Sequence, residues 1–461
     1  WYKWYSGYLP AGSREGPDDY MHADIHQICR TPGAPDKIYY ATDGGIFVSY
    51  DGGKTFAGRN GGYQTQQFYA NLGSSSLSPQ LCIGGMQDNS TAIYSGDLSW
   101  KRVLGGDGEC AAIMPGNDQV MFGSSQYLNM YRSDDGGESF LSISPPEAFD
   151  EDAAFNGPFE ISPADPKALY AGAGSLFFSD DQGNTWSNMS AGPVSPGHVI
   201  LTIAPHPTNK YAAYFSTAPL TEGGQAQVYR FDFWNSVLEP LSGLPERLCM
   251  DLAISTSDTN LIYAVFGGFG TPHVYRSRDA GNTWTAASEG LPDVPTNSIQ
   301  IDPGNPDYLY VGNDLGVWQS RNAGQNWEYY SAGAPQAMLA MHLNVTPSRV
   351  LRVATYGLGV WQTQLPPVTS VQEGQGPVTG LRISPNPAQE VLQASFEIRQ
   401  TQRVVLDILD LSGRVLITQP AGLLSAGAQQ VRVPVGHLPA GCYGLRLRAG
   451  GTHTGQVWVK K

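Results

Sequence analysis

An eight-residue pattern, Ser-x-Asp-x-Gly-x-x-aromatic, recurs through the first 330 residues or so and limits the folds open to the chain. The serine and aspartate side chains suit hydrogen bonds to the backbone of a tight turn, and the glycine supplies a residue with positive φ. The aromatic residue is expected to pack back under the hairpin. Five copies occur, with Asn in place of Asp in the last: Ser49, Asp51, Gly53; Ser133, Asp135, Gly137; Ser179, Asp181, Gly183; Ser277, Asp279, Gly281; Ser320, Asn322, Gly324.

The distance between copies suits one small sheet per repeat. The motif serines lie 46 residues apart between Ser133 and Ser179, and 43 apart between Ser277 and Ser320. A four-stranded propeller blade takes about 40–50 residues, so each copy is expected to mark one blade. Repeat units begin near His22, Gln66, Asp107, Phe159, Val199, Leu248, Ser298 and Ala337. The sequence therefore predicts a single β-propeller of eight blades, with seven blades as the alternative.

The two ends of the propeller region are expected to share its last blade. The last unit stops near Pro366 without a fourth strand, whereas residues 1–10 are similar to the segment 327–335 that follows the fifth motif. A strand from the N-terminus would complete the last blade and remove a sheet edge. The first residues are not a signal peptide, so a leader peptide is expected to have been removed already.

Composition agrees with an all-β chain of two domains. Only 15% of residues are charged, while 55 are Gly, 33 are Pro and 24 are Tyr, which favours short strands joined by tight turns. Residues 1–366 are assigned to the propeller, and the polar residues 367–378 to a linker. The alternating pattern of residues 379–461 predicts a small immunoglobulin-like β-sandwich.

Charge argues against nucleic acid as a partner, and hydropathy argues against a transmembrane segment. The formal net charge of −14 argues against nucleic acid, which requires a basic surface. No apolar run approaches the roughly 18 residues of a transmembrane helix, so no transmembrane segment is predicted.

Cysteine and tryptophan positions carry further expectations. Cys29, Cys110 and Cys249 lie in apolar stretches, which favours buried free thiols. The alternative is that the five cysteines form one or two disulfides. Six tryptophans at repeated positions are expected to pack between blades: Trp100, Trp186, Trp284, Trp318, Trp327 and Trp361. Trp4 and Trp458 are interpreted as candidates for surface contacts.

The motif resembles the Asp-box (BNR) repeat of sialidase-like and sortilin-like propellers, over residues 1–366. The segments 22–26, 43–45 and 84–89 also resemble sortilin-like propellers of exported bacterial proteins. The resemblance implies that the Asp box is a structural element of the blade rim and takes no part in catalysis. The Arg-Ile-Pro segment expected of a sialidase is missing.

The C-terminal residues resemble a second family, the type IX secretion sorting domain of exported Bacteroidota proteins. The similar segments are 383–388, 410–415, 438–443 and 457–461. This resemblance implies that the type IX machinery binds residues 379–461 and exports the chain. The protein is then expected to be secreted or to lie at the outer cell surface.

A candidate site follows from propeller topology. The loops that enter the inner strands and the turns between second and third strands share one face, where propellers usually bind ligands. Seven polar residues are predicted to gather there as ligand-binding residues: His22, Asp24, Asp43, Gln87, Asp88, Asp107 and Glu109. The alternative is that these side chains only line a water-filled channel.

Two kinds of chemistry are open at this face. Asp24, Asp107 and Glu109 could divide acid and base roles, as glycoside hydrolysis requires. His22, Asp24 and His26 alternate along a predicted strand, so their side chains would share one side and could hold a metal ion. No Gly-x-Ser-x-Gly motif supports a serine hydrolase, and no cofactor is predicted.

Three functions are consistent with the sequence. The first is a non-catalytic binding or interaction module that engages a glycan or a surface protein. The second is a glycoside hydrolase or lyase acting on polysaccharide. The third is a structural subunit of a cell-surface assembly.

Overall fold

The computed structural model describes residues 20–61, 65–69, 71–96, 100–366, 378–410, 414–449 and 452–461. The all-β prediction is confirmed, because the described residues form 38 strands and one short 3₁₀ helix, Pro146–Asp150. Contacts divide the chain into two units, with the division after Leu365. The predicted N-terminal strand (1–10), Trp4 and nearly all of the predicted linker lie outside the described residues.

Eight antiparallel sheets follow one another in the first unit, each with its strands in chain order. The first sheet contains β1 (Ile25–Thr31), β2 (Ala34–Thr42), β3 (Gly45–Ser49) and β4 (Ala57–Gly58). The next seven sheets close into a ring, as described below, and we call them ring sheets 1 to 7. Ring sheet 1 contains β5 (Gly73–Ser74), β6 (Leu81–Met86), β7 (Ser90–Ser95) and β8 (Lys101–Leu104). Ring sheet 2 contains β9 (Gly108–Ile113), β10 (Met121–Ser125), β11 (Asn129–Ser133) and β12 (Leu141–Ser142).

The remaining ring sheets repeat this plan. Ring sheet 3 contains β13 (Phe159–Ile161), β14 (Leu169–Gly172), β15 (Leu176–Ser179) and β16 (Ser187–Asn188). Ring sheet 4 contains β17 (His198–Pro205), β18 (Ala212–Pro219), β19 (Gln227–Asp232) and β20 (Val237–Pro240). Ring sheet 5 contains β21 (Cys249–Ile254), β22 (Ile262–Phe266), β23 (Val274–Ser277) and β24 (Thr285–Ala286). Ring sheet 6 contains β25 (Thr296–Ile301), β26 (Leu309–Asn313), β27 (Gly316–Ser320) and β28 (Glu328–Tyr329). Ring sheet 7 contains β29 (Ala340–Val345), β30 (Val350–Thr355) and β31 (Val360–Gln364).

The five motif turns form as their residues predict, each between the third and fourth strand of a sheet. In ring sheet 3 the Ser179 hydroxyl donates to Asp181 Oδ1 and accepts from the Gly183 N–H, both at 2.8 Å. Gly183 adopts φ +84°, a conformation that glycine takes without strain. The same bonds recur in the other four copies, including the one with Asn322. The motif therefore specifies a hairpin turn.

Apolar side chains fill the interfaces between neighbouring ring sheets, which we call seams. Each of six seams joins a ring sheet to the next along the chain. The seventh seam joins ring sheet 7 to ring sheet 1, where Ala354 packs with Phe68, Leu72 and Cys82. The repeated tryptophans contact these seams as predicted, and Trp186 Nε1 donates to the Ile143 carbonyl across one of them at 2.7 Å. Seven seams make a closed ring of seven sheets.

Hydrogen bonds secure the closure of the ring. The Phe68 N–H donates to the Thr355 carbonyl at 2.9 Å, and the Arg352 guanidinium donates to Ser74 Oγ at 2.8 Å. Arg352 is 1% exposed and also donates to the carbonyls of Leu81 and Pro79. The long-range contacts of this arginine join sheets that are distant in the chain.

The first sheet lies beside this ring. Six of the seven residues of β1 are exposed, and the small apolar cluster of the sheet consists of its own residues and Met21. The count of eight repeat units thus matches eight sheets, but the ring itself corresponds to the seven-bladed alternative. The reason is that ring sheet 7 packs directly against ring sheet 1.

The second unit is a β-sandwich of two sheets. One sheet has the order β32–β33–β36, from β32 (Val378–Ser384), β33 (Val391–Ile398) and β36 (Gly427–Pro434). The other has the order β35–β34–β37–β38, from β34 (Gln402–Leu409), β35 (Val415–Leu424), β37 (Gly441–Ala449) and β38 (Thr452–Lys460). Inward-facing residues alternate along β33, as expected of a strand with one buried face.

Two expectations about single residues need correction. Trp458 is 0% exposed and stacks on Tyr443 in the sandwich core, so it is not a surface contact. Cys29 is exposed because β1 faces solvent, whereas Cys110 and Cys249 are buried as predicted. All five cysteines are free thiols.

Candidate functional site

The innermost strands of the ring surround a cavity of about 410 Å³, which residues from all seven ring sheets line. Glu160, Asp251 and His342 face it from three different sheets. Burial raises the pKa of Glu160 to about 8 and that of Asp251 to about 6, and it lowers the pKa of His342 to about 4. Burial thus disfavours the charged form of all three groups.

The predicted ligand-binding residues gather at one end of this ring, which we call the mouth. Asp24 precedes β1, and Asp43 lies in the turn between β2 and β3. Gln87 and Asp88 form the turn between β6 and β7, and Asp107 directly precedes β9. These positions are the strand-entry loops and second turns expected from the topology.

Asp24, Asp43 and Asp88 form an acidic group where the first sheet meets ring sheet 1. One carboxylate oxygen from each residue lies within 4.8 Å of the others. The junction is tied by the Asn89 side-chain amide, which donates to the Asp43 carbonyl at 3.1 Å. Burial, with the nearby carboxylates of Asp107 and Asp43, raises the pKa of Asp88. The acidic group therefore holds concentrated negative charge at an open surface.

The other two carboxyl groups of the predicted set lie deeper. Asp107 is 9% exposed, and its Oδ1 accepts the Asp88 N–H at 3.0 Å. Glu109 is 0% exposed, and neither of its carboxyl oxygens has a hydrogen-bond partner among the described residues. Burial, assisted by Asp107, raises the pKa of Glu109 to about 9. Glu109 is therefore protonated at neutral pH.

A row of aromatic rings lies beside the acidic group. Tyr69 is 6.0 Å from both Tyr356 and Phe155, measured between ring centroids, and Phe155 is 5.5 Å from Tyr127. Tyr127 is 60% exposed and Phe155 is 41% exposed. The Tyr356 hydroxyl donates to Gln87 Oε1, which connects the aromatic row to the turn that carries Asp88. The mouth thus presents aromatic faces and carboxylates side by side.

The histidines predicted as metal ligands are placed differently from the expectation. Asp24 has φ +57°, and His22 precedes the strand, so the two do not alternate with His26 along β1. The His22 ring nitrogens lie 2.9 Å from the Asp88 carbonyl and 3.0 Å from the Ala23 carbonyl. His26 Nε2 pairs with Asp43 Oδ1 at 2.5 Å. Asp24, with its positive φ, lies outside the strand that begins at Ile25, so the expected alternation of the three residues along one strand does not form.

Sequence reasoning missed part of the aromatic row. Tyr69, Tyr127 and Phe155 carry no charge and match no catalytic or metal-ligand pattern, so their residue types alone do not point to a site. Tyr69 and Phe155 nevertheless stand before inner strands, as Asp107 does, and Tyr127 occupies a second turn, as Asp88 does. The loop position was therefore the signal that could have found them.

The structure is similar to several solved proteins, of which the match with a TM-score above 0.5 supports the fold. The structure matches a GH74 enzyme of Niastella koreensis with a TM-score of 0.51 and 14% identity, over 85% of this chain and 73% of that one. It also matches PorZ, a surface component of the type IX secretion system of Porphyromonas gingivalis, with a TM-score of 0.49 and 13% identity, over 95% of this chain and 66% of that one. A third match is YCF48 bound to D1 peptide, with a TM-score of 0.49 and 11% identity, over 66% of this chain and 95% of that one. No curated protein matches the sequence.

The C-terminal residues identify how the protein leaves the cell. Residues 382–461 match the family described as the secretion system C-terminal sorting domain, which confirms the predicted sorting tail. The described residues contain no helix with the length and hydrophobicity of a membrane span. The sorting tail marks the chain for export by the type IX machinery, and the protein is secreted or lies at the cell surface.

Proposed function

We propose that the protein is an exported, non-catalytic binding module that holds a glycan at the mouth of its ring. One observation carries the proposal: aromatic rings and carboxylates are exposed together there, whereas the carboxyl groups suited to catalysis are buried. Phe155 and Tyr127 are exposed at the same end of the ring as the acidic group, while Glu109 is fully enclosed.

The burial of Asp107 and Glu109 favours glycan binding over glycan hydrolysis. A glycosidase needs two carboxyl groups that flank the scissile bond, and both must reach the substrate. Glu109 is 0% exposed, and Asp107 already accepts the Asp88 N–H. The Asp107 side chain supports the turn that carries Asp88, so we assign it a structural role.

The exposed groups suit a sugar ligand. Ligand sites combine aromatic faces with a few placed polar groups that fix orientation. The rings of Tyr127 and Phe155 offer apolar faces for one sugar ring of a glycan, and the carboxylates of Asp24 and Asp43 can accept hydrogen bonds from the hydroxyls of another. A surface protein is the alternative ligand, because exposed aromatic residues also favour protein contacts.

The motif turns support a finer assignment of the ring. Four of the five motif turns lie at the outer part of ring sheets, one of them with Asn322 in place of Asp, and all five make the same hydrogen bonds. We infer that the ring belongs with the Asp-box, sortilin-like propellers. In that assignment the motif stabilises the blade and leaves ligand binding to the mouth.

A polysaccharide hydrolase is the second candidate, and one observation favours it. Glu109 is protonated at neutral pH, which is the state that a general acid requires. Substrate would have to open the mouth to reach this carboxyl group. The two functions therefore differ in whether product is released.

The deciding experiment screens polysaccharides for binding and for release of reducing ends, with four proteins: the wild type, Phe155→Ala, Phe233→Ala and Asp107→Asn. Phe155→Ala should weaken glycan binding about tenfold, because a stacking face is lost. Phe233 is the matched control, since it is 47% exposed but lies in a turn outside the mouth. No protein should release product.

Two outcomes would contradict the binding module. Product release by the wild type that disappears in Asp107→Asn would establish the hydrolase. Equal loss of binding in Phe155→Ala and Phe233→Ala would place the ligand elsewhere on the surface.

A further inference from the structure

The cavity at the centre of the ring opens at the end opposite the mouth. Its lining includes Pro115, Pro163, Thr256 and Pro303, which are exposed. Each of these residues lies in the turn between the first and second strands of a ring sheet, whereas strand-entry loops and second turns form the mouth. A molecule can therefore enter the central cavity from solvent without passing the acidic group or the aromatic row.

One backbone hydrogen bond sets the same register at this turn in all seven ring sheets. In ring sheet 5 the Ser255 N–H donates to the Leu261 carbonyl at 3.0 Å, and in ring sheet 3 the Ser162 N–H donates to the Ala168 carbonyl at 2.9 Å. The same bond recurs in the other five ring sheets. The residue two positions before each donor lines the cavity, and these seven equivalent residues are Gly73, Ala112, Glu160, Ala204, Ala253, Gln300 and Asn344.

Most side chains at this level of the ring are small. Four of the seven equivalent residues are glycine or alanine, so they leave space in the cavity and present no polar side-chain atom. Glu160 approaches from ring sheet 3, whereas Gln300 and Asn344 approach from ring sheets 6 and 7 across the ring. The cavity thus has room between polar side chains on opposite sides.

Four polar residues lie between the central cavity and the mouth. A second cavity of about 100 Å³ shares Asn71, Glu160, Asp251 and His342 with the first and continues toward the aromatic row. Asn71 Nδ2 donates to Glu160 Oε1, and the Leu72 N–H donates to His342 Nδ1 at 3.1 Å. Glu160 Oε2 and His342 Nε2 have no hydrogen-bond partner among the described residues.

Both of these unpaired atoms are hydrogen-bond donors at neutral pH. Burial, assisted by the charge of Asp251, raises the pKa of Glu160 to about 8, so the carboxyl group keeps its proton. Because Glu160 Oε1 accepts a bond from Asn71, the proton resides on Oε2. Burial lowers the pKa of His342 to about 4, and since Nδ1 accepts a bond, Nε2 carries the hydrogen of the neutral ring. Two donors are thus available to an acceptor atom of a ligand.

The charge around the cavity favours a neutral ligand. The Asp251 carboxylate already accepts two backbone N–H groups at 2.8 Å and the Ser298 hydroxyl at 3.0 Å. Among the described residues, no lysine or arginine lines either cavity, so an anion would lack a counter-charge. A cation would meet the two donors of Glu160 and His342. Hydroxyl groups both donate and accept, so they can pair with these donors and with the amide of Asn344.

We propose that the central cavity is a second binding site, which takes a neutral polyhydroxylated molecule about the size of one sugar ring and holds its hydroxyls between Glu160, His342 and Asn344. The volume of about 410 Å³ lies in the range of small-molecule pockets. Because the cavity opens away from the mouth, this site is independent of the glycan site proposed there.

The test measures binding of single sugars to the full chain by calorimetry and by ligand-observed NMR. The neutral probes are glucose, galactose, N-acetylglucosamine and inositol, and the charged probes of similar size are glucosamine and glucuronate. We expect at least one neutral probe to bind at least about tenfold more tightly than either charged probe. Phe155→Ala locates the bound sugar, since retained binding places it away from the mouth and lost binding places it at the mouth.

Two variants test the cavity itself. Ala253→Leu fills it and should weaken binding of the neutral sugar by at least about tenfold. The matched control is Ala286→Leu, the same change at an exposed residue of the outermost strand of ring sheet 5. His342→Asn keeps an acceptor for the Leu72 N–H but removes the Nε2 donor, so it should weaken binding about tenfold. Thermal unfolding of each variant checks that the ring is folded, and His342→Asn serves if Ala253→Leu is not.

Three results would overturn the proposal. The first is that no neutral probe binds at millimolar concentration, and the second is that only a charged probe binds. The third is that Ala253→Leu and His342→Asn bind the neutral sugar as tightly as Ala286→Leu does. Binding that is lost in Phe155→Ala but kept in Ala253→Leu would support the glycan site at the mouth and contradict the site in the cavity.

Discussion

The first sheet and ring sheet 6 contain the same turn but bury their inner strands to different degrees. The Gly53 N–H donates to Ser49 Oγ at 2.8 Å, and the Gly324 N–H donates to Ser320 Oγ at 2.9 Å. Yet β1 is exposed at six of its seven residues, whereas four of the six residues of β25 are buried. The local turn is therefore independent of membership in the ring.

The difference shows what each level of structure contributes. The motif closes a hairpin through bonds within eight residues, which any sheet can make alone. Burial requires a neighbouring sheet on both sides, and only ring sheets 1 to 7 have seams on both sides among the described residues. The number of motif copies thus indicates the number of hairpins with this turn, whereas the number of seams gives the number of blades in the ring.

The largest expected effect tests this division by removing a seam residue. Phe215 is 0% exposed and packs in the seam between ring sheets 3 and 4. Phe215→Ala should lower the free energy of unfolding by about 3–5 kcal/mol, because it leaves a cavity in the seam. The matched change in the first sheet is Ile28→Ala, at a residue that is 54% exposed, and it should cost less than about 0.5 kcal/mol. Denaturant unfolding followed by tryptophan fluorescence measures both, and similar losses would break the comparison.

Sequence reasoning succeeded where the structure depends on local bonds or on repeat position. The motif turns, the seam tryptophans and the gathering of Asp24, Asp43, Asp88 and Asp107 at one face all follow from residue spacing and blade topology. An aspartate before an inner strand must lie at the same end as an aspartate in a second turn.

The rest depends on contacts between distant residues. The contacts that close the ring include Arg352, which bonds Ser74 nearly 280 residues earlier in the chain, and no local pattern encodes that pair. Glu109 is enclosed because neighbouring elements cover it; the apolar stretch after it predicted burial of Cys110, but not that the carboxyl group itself is covered. Trp458 is buried by the opposite sheet of the sandwich.

A smaller effect is expected on the pH dependence of stability, from a carboxyl group that ring sheet 2 brings to the mouth. Glu109 of ring sheet 2 has a pKa of about 9, above the value of about 4.3 in an unfolded chain. Between these pH values the folded chain keeps a proton that the unfolded chain releases, so this residue lowers stability as the pH rises. Glu109→Gln cannot titrate, and its stability relative to the wild type should rise by about 2–4 kcal/mol between about pH 5 and pH 8.

The control for this prediction lies in the first sheet. Ile28 is exposed and does not titrate, so Ile28→Ala should leave the pH dependence of stability unchanged. Chemical denaturation at a series of pH values measures both variants. A pH-independent difference between Glu109→Gln and the wild type would mean that Glu109 is ionised in the folded protein, and the buried carboxyl group would then need another explanation.

The smallest expected effect concerns the turn itself, which the two regions share. In ring sheet 5, hydrogen bonds from the Thr283 side chain and backbone lower the pKa of Asp279, and in the first sheet the backbone and side chain of Thr55 do the same for Asp51. A depressed pKa means that the stabilisation is present above about pH 4 and is lost as the pH falls further. Asp279→Asn should therefore lower the melting temperature of the ring slightly at neutral pH and reduce its acid sensitivity. Adding Thr283→Asn should restore part of the loss by copying the Asn322–Asn326 bond of ring sheet 6.

Asp51→Asn weakens an equivalent turn outside the ring, so the melting temperature of the ring should not change. A drop as large in Asp51→Asn as in Asp279→Asn, measured by calorimetry at neutral and acid pH, would show that the first sheet unfolds together with the ring.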